Sequence, residues 1–223
     1  YACPDRPRKV EAQGIAFHAY GPSPSHALQG VTLFKRIMDK AAAQKRIGDV
    51  RGLYVTESGF LTGATIGNVV TPEQQALFQN QTEAALAEDS RIRAVSQLQL
   101  VDAGDGAWET GLRWAFGDVT KNDGAVVSGD LLEVVRGSHV VVRPSAGVAQ
   151  TIGWGDVRSV VRTQAGSEKP ALGAYRIAVS AYREAGGKLT VLGHARPDTG
   201  AGFSIEGYYP TPEGSGDWLE IKV

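Results

Sequence analysis

The feature that most constrains this chain is a regular alternation in its first half. Short apolar runs begin near residues 15, 52 and 92, and a single helix-like stretch separates each from the next. Strands separated by single helices imply parallel neighbours, because a parallel partner lies beyond the reach of a tight turn and needs a crossover connection. Gly14-Ile15-Ala16-Phe17-His18-Ala19-Tyr20 is apolar and stopped by Gly21-Pro22-Ser23-Pro24, as suits a buried strand with an abrupt end. Val31, Phe34, Met38, Ala41 and Ala42 then recur at helical spacing between about 31 and 46. Gly52-Leu53-Tyr54-Val55-Thr56 reads as the second strand, closing at Gly59. Thr71-Pro72-Glu73-Gln74 predicts a helix start: an N-cap hydroxyl, proline at the first helical position and glutamine three residues after the cap. That helix is expected to run to about Asp89, and a third strand from Ile92 to Val101, ending at Asp102-Ala103-Gly104-Asp105-Gly106.

Near Trp114 the pattern changes. Leu131 to Val135 and His139 to Arg143 flank Arg136-Gly137-Ser138, which predicts a β-hairpin with glycine in the turn. A strand is expected at 157–162, a short helix at 171–175 after Lys169-Pro170, and a second hairpin whose strands meet at Gly186-Gly187. Leu172, Tyr175, Val179 and Tyr182 also fit one continuous helix. The tail, with Phe203, Ile205, Tyr208, Trp218, Leu219 and Ile221, reads as strands.

Composition narrows the chemistry. With 42% hydrophobic and 21% charged residues over 223 positions, the chain has the make-up of a globular protein. Lys+Arg 23 against Asp+Glu 24 leaves a formal charge of -1, so no basic field exists to hold nucleic acid or an anionic membrane, and neither is an expected partner. No apolar run approaches the roughly 20 residues of a membrane helix. The opening segment lacks the apolar centre of a signal peptide, so the chain is expected to be soluble as given or already processed. One cysteine, Cys3, excludes an internal disulfide and a cysteine-based zinc site. The four histidines are scattered without metal-ligand spacing, and no Gly-x-Ser-x-Gly elbow, phosphate loop or dinucleotide fingerprint follows a strand. No metal and no cofactor are therefore expected.

Ligands of parallel α/β architectures bind at the carboxyl ends of the strands. Those ends carry His18 and Tyr20 on the first strand, Glu57 on the second, and Gln97, Gln99 and Asp102 on or after the third. Glu57 is the most informative, because a carboxylate emerging from a core strand cannot be buried without partners. Its other reading is a loop carboxylate that caps backbone amides or pairs with Arg51 or Arg91.

Taken together, Phe17-His18-Ala19-Tyr20, Tyr54-Val55-Thr56-Glu57-Ser58-Gly59-Phe60, Thr71-Pro72-Glu73-Gln74-Gln75-Ala76 and Gln99-Leu100-Val101-Asp102 resemble the sixth to eighth strands of retaining glycoside hydrolases with TIM barrels. The resemblance implies an α/β chain forming the C-terminal part of a (β/α)8 TIM barrel, with strands six to eight and their helices in 1–113. It further implies a β-rich insertion at 114–165, a barrel-closing segment at 166–185 around Lys169-Pro170-Ala171-Leu172, and a β-rich extension at 186–223. It makes Glu57 the catalytic nucleophile, and His18, Tyr20, Gln97, Gln99 and Trp108 substrate-binding residues for a carbohydrate. It places such a protein in a secreted or extracellular setting.

Two departures accompany the resemblance. A retaining glycosidase needs a second, protonated carboxyl about 5 to 5.5 Å from the nucleophile. By resemblance that group belongs to the fourth strand, and a (β/α)8 barrel takes about 250 residues, so an N-terminal part or partner chain is expected to supply it. Gln97 stands where the family presents a tryptophan floor. The alternative function is a non-catalytic extracellular carbohydrate-binding or assembly protein derived from such a barrel. Asp102, Asp105 and Glu109 read as a turn and a solvated loop, with Asp102 also a candidate substitute acid. Trp154 and Trp218 read as core residues or stacking platforms.

Overall fold

In a computed structural model the described residues are 10–48, 50, 52–63, 67–183, 189–195, 204–210 and 216–222, with side chains described up to Arg176. Cys3 and Arg51 lie outside them.

The predicted alternation is present. Strand β1 (Gly14–Ala19), helix α1 (Pro24–Ala43), strand β2 (Gly52–Ser58), helix α2 (Pro72–Glu88) and strand β3 (Ile92–Gln97) follow one another, and the strands pair in parallel in the order β1-β2-β3. Helix α1 begins before the apolar spacing shows it: Ser23 caps it and Pro24 occupies its first turn. Thr71 caps α2 with both bonds of a capping box, its hydroxyl accepting from the Gln74 amide while the Gln74 side chain accepts from the Thr71 amide. Strand β3 stops at Gln97 rather than Val101, because the backbone beyond it turns to bond Leu112 and Arg113.

The apolar faces explain the layering. Phe17, Val55 and Val95 pack with Leu28 and Val31 of α1 and Leu86 of α2, so both helices cover one face of the sheet. The register pairs Ala16 with Tyr54 and Tyr54 with Ala94, and these three are exposed on the opposite face. Parallel sheets are ordinarily covered on both faces. Here one face stays bare among the described residues.

A second sheet follows from β4 (Arg113–Lys121), β5 (Val126–Val135), β6 (His139–Arg143), β7 (Gln150–Gly153) and β8 (Val157–Glu168). It is antiparallel, in the order β7-β6-β5-β4-β8. The expected hairpin is β5–β6, with Gly137 at φ 81 in its turn, a left-handed conformation open to glycine. This sheet owns a separate core of Ala115, Val119, Leu131, Val134, Val140, Val142 and Ile152, with Trp154 packed at its margin, so Trp154 takes its core role. Helix α3 (Pro170–Arg176) buries Ala171 and Leu172 against Leu112. Strands β9 (Ile177–Arg183) and β10 (Leu189–Ala195) form a hairpin whose turn, with Gly186-Gly187, lies outside the described residues. Strands β11 (Ser204–Pro210) and β12 (Gly216–Lys222) form another; the Trp218 side chain is outside the description.

The expected portion of a TIM barrel is corrected by this architecture. Among the described residues three parallel strands and five antiparallel strands form separate sheets beside three α-helices, and no closed or barrel-like arrangement is present. The physical reason lies in the signal itself. A β-α-β-α-β pattern specifies neighbours and direction, which any parallel sheet with helical crossovers shares, whereas closure depends on strand number and stagger that three strands do not encode.

Candidate functional site

Strands β1 and β2 end together, and this brings the first three site residues into reach of one another. The register shifts between Phe17 and His18, so that His18 pairs with Glu57 and Ala19 with Ser58. Such a bulge re-aims side chains at a strand end. The Tyr20 hydroxyl donates to Glu57 Oε2 at 2.8 Å, and His18 Nδ1 lies 3.2 Å from the same oxygen. Among the described residues Oε1 accepts no hydrogen bond. The Glu57 side chain keeps 35% of its surface exposed and that of His18 53%, so the carboxylate is supported yet open to a ligand. Burial, and then the bond to Glu57, raises the Tyr20 hydroxyl above its ordinary acidity range, which keeps it a donor at neutral pH.

Trp108 completes one side. It is 47% exposed, and its ring centroid lies 5.7 Å from that of Tyr20 at an interplanar angle of 48°. His18 meets Tyr20 edge-on at 6.3 Å. The result is an aromatic wall beside a carboxylate. Arg91, the alternative partner for Glu57, instead binds Asp39.

Gln97 and Gln99 are placed differently. Gln97 Nε2 donates to the Thr110 carbonyl at 2.6 Å, while Gln99 Oε1 accepts from the Thr110 amide and hydroxyl, each at 3.2 Å. Gln75 of α2 adds donations to the carbonyls of Phe60, Thr110 and Gly111. Three amide side chains thus hold the segment that follows Trp108.

The loop of residues 102–111 is not solvated in the manner its composition suggests. Asp102 is 1% exposed and Glu109 4%. The Glu109 carboxylate accepts from the amides of Gly104 and Gly106, at 3.1 and 2.7 Å. Asp102 accepts from the Gly111 amide at 2.7 Å and pairs with Lys169 Nζ at 2.6 Å. Burial pushes the Asp102 carboxyl up to about 7 and pulls the Lys169 ammonium down, each opposed by the other's charge. Asp102 is therefore engaged as an anchor rather than free as a substitute acid. Asp105, at the exposed tip, accepts from the Ala107 amide. This anchoring was missed because the partners are distant in sequence. The nearest local sign is the glycine spacing: a Cβ on Gly111 would lie 2.3 Å from the Asp102 amide nitrogen.

A separate cavity of about 700 Å³ lies between the start of α2 and the antiparallel sheet, lined in part by Thr71, Trp114, Glu133 and Arg143. None of His18, Tyr20, Glu57 and Trp108 borders it. Among the described residues no cluster of three or more metal-ligating side chains occurs, and no helix is long and apolar enough to cross a membrane. Comparison of the chain with family models, with curated proteins and with solved structures gives no match.

Proposed function

We propose that this chain carries the nucleophile half of a retaining glycoside hydrolase site, with Glu57 as nucleophile and Tyr20, His18 and Trp108 as its sugar-facing surroundings. The observation that carries the reading is the Tyr20–Glu57 hydrogen bond beside an exposed tryptophan. One carboxylate oxygen is held by Tyr20 and His18, which leaves the other to attack an anomeric carbon. A half-exposed indole suits the apolar face of a sugar ring, where an aromatic platform binds by stacking.

The acid is the missing half, since Asp102 and Glu109 are both committed to the loop. It comes, in this reading, from a further polypeptide segment or chain. A secreted, polysaccharide-active protein without cofactor accords with this chemistry.

The test uses donors that need no acid. A dinitrophenyl glycoside loses its aglycone without protonation, so the chain itself should release one equivalent of dinitrophenolate from a matching sugar. Glu57→Gln should lower that burst by orders of magnitude with unchanged stability. An equal burst from both proteins would return Glu57 to a structural role. The second reading, a non-catalytic glycan-binding module, is favoured by the aromatic wall alone. It predicts oligosaccharide binding lost in Trp108→Ala, with no burst from any donor.

A further inference from the structure

Trp108 sits on a loop, and loops do not by themselves fix a ring against a neighbour. The second sheet touches this loop at several points. Arg162 of β8 donates from Nη1 to the Asp102 carbonyl at 2.8 Å, and Arg136, in the β5–β6 turn, donates from Nε to the Asp105 carbonyl at 2.7 Å. Gly104 adopts φ 73 directly against the sheet, where a Cβ would lie 3.0 Å from Ala115 Cβ and 3.2 Å from Leu131 Cδ1. Lys169, between β8 and α3, reaches Asp102 on one side and the Thr62 hydroxyl at 2.7 Å on the other. Thr62 in turn bonds the Glu109 carbonyl through its amide, at 2.9 Å, and its hydroxyl, at 3.2 Å. The Trp114 ring lies under the Lys169 ammonium at 4.3 Å. The contacts grip the loop on both sides of Trp108 and leave the indole itself exposed.

We propose that the antiparallel sheet is a brace that sets the pose of Trp108 beside Glu57, with Arg136, Arg162 and the Asp102–Lys169 pair as its positioning residues. None of these groups reaches the carboxylate, so they act through the loop. The inference rests on the proposed sugar site for its functional meaning, but the bracing itself is a property of the chain without ligand. On this view the antiparallel sheet serves the proposed site without lining it: a ligand that stacks on Trp108 reads the geometry of β5, β6 and β8.

The experiment separates the two layers. The full chain is labelled with 5-fluorotryptophan, and its fluorine resonances are assigned through Trp108→Phe, Trp114→Phe and Trp154→Phe. Arg136→Ala/Arg162→Ala removes two exposed donors while leaving the buried pair intact. The expected result is a shifted or broadened Trp108 resonance, an unmoved Trp114 resonance and restoration of the Trp108 signal by Arg162→Lys/Arg136→Lys; Trp154 borders the same pocket as Arg136 and is not the reference for this pair. Where a matching oligosaccharide is known, its affinity should fall by roughly ten- to a hundredfold, the scale expected when a binding group is displaced by about 1 Å. An unmoved Trp108 resonance overturns the brace, and so does an equal movement of Trp108 and Trp114, which would mean general loosening. Lys169→Met/Asp102→Asn, which removes both members of the buried pair together, gives an independent second arm, with Trp154 as the reference because Trp114 lies against Lys169. If Trp108 moves as expected but no glycan binds the wild type, the brace stands and the sugar reading falls.

Discussion

The two sheets solve the problem of burial in opposite ways. The antiparallel sheet closes a core from its own strands, with Ala115, Val119, Val140 and Val142 fully excluded from solvent. The parallel sheet buries only the face under α1 and α2, and leaves Ala16, Tyr54 and Ala94 exposed on the other. All four residues of the candidate site lie at the edge of the half-covered sheet or on the loop beside it, while the self-contained sheet supplies the groups that hold that loop. Under the proposed function, the difference separates a part that would carry chemistry from a part that would supply rigidity. A proposed nucleophile has to stay reachable, and Glu57 keeps 35% of its side-chain surface exposed; a brace need not be.

Stability measurements can break this comparison. The largest effect should come from the self-contained core. Leu131→Ala is expected to cost about 2–5 kcal/mol, as for buried leucine truncations generally, measured by urea unfolding. A cost near zero would mean that the antiparallel sheet does not hold itself together.

A second effect depends on pH and belongs to the junction of the two regions. Burial raises the folded-state pKa of Asp102 to about 7, above its unfolded value. The folded state therefore binds that proton more tightly, and the stability it contributes is full below about pH 4 and is lost as pH rises through about 7. Asp130 acts with the opposite sign. Although burial opposes it, hydrogen bonds from Ser167 and Arg143 hold its carboxyl below the usual range, so its contribution is present above about pH 4 and lost on acidification. Unfolding midpoints followed across pH 4 to 7 should show a downward contribution in the wild type that is absent in Asp102→Asn. A wild-type contribution that persists in the variant would remove Asp102 as its source.

The smallest effect is expected on the bare face. Tyr54, 41% exposed, should tolerate Tyr54→Ser within about 0.5 kcal/mol, the range of ordinary surface substitutions. A cost of several kcal/mol would show that the face is covered in the protein in solution.

Much of the local structure could be read from the chain because it is locally determined. The Thr71-Pro72-Glu73-Gln74 box, the β5–β6 turn at Gly137 and the β-α-β-α-β alternation all depend on neighbours within a few residues. The convergence of His18, Tyr20 and Glu57 was legible for a related reason, since parallel strands place their carboxyl ends together. What escaped the sequence depends on distant partners. Asp102 and Glu109 look like solvated turn residues until Lys169 and the glycine amides are brought to them. Gln97 and Gln99 look like groups at a strand end facing a ligand, but the backbone of Thr110 returns to meet both. Whether the parallel sheet closes on itself is a property of the whole strand set, which no single repeat records.

The central claim is that Glu57 can attack an anomeric carbon, and trapping the product tests it most directly. The wild-type chain is incubated with a panel of dinitrophenyl 2-deoxy-2-fluoroglycosides, whose fluorine slows breakdown of the glycosyl-enzyme. Intact mass is then followed by peptide mapping. The account predicts the mass gain of one fluoroglycosyl group, located on the peptide containing Glu57 and absent from Glu57→Gln. A label on another residue, or labelling that survives Glu57→Gln, would contradict it.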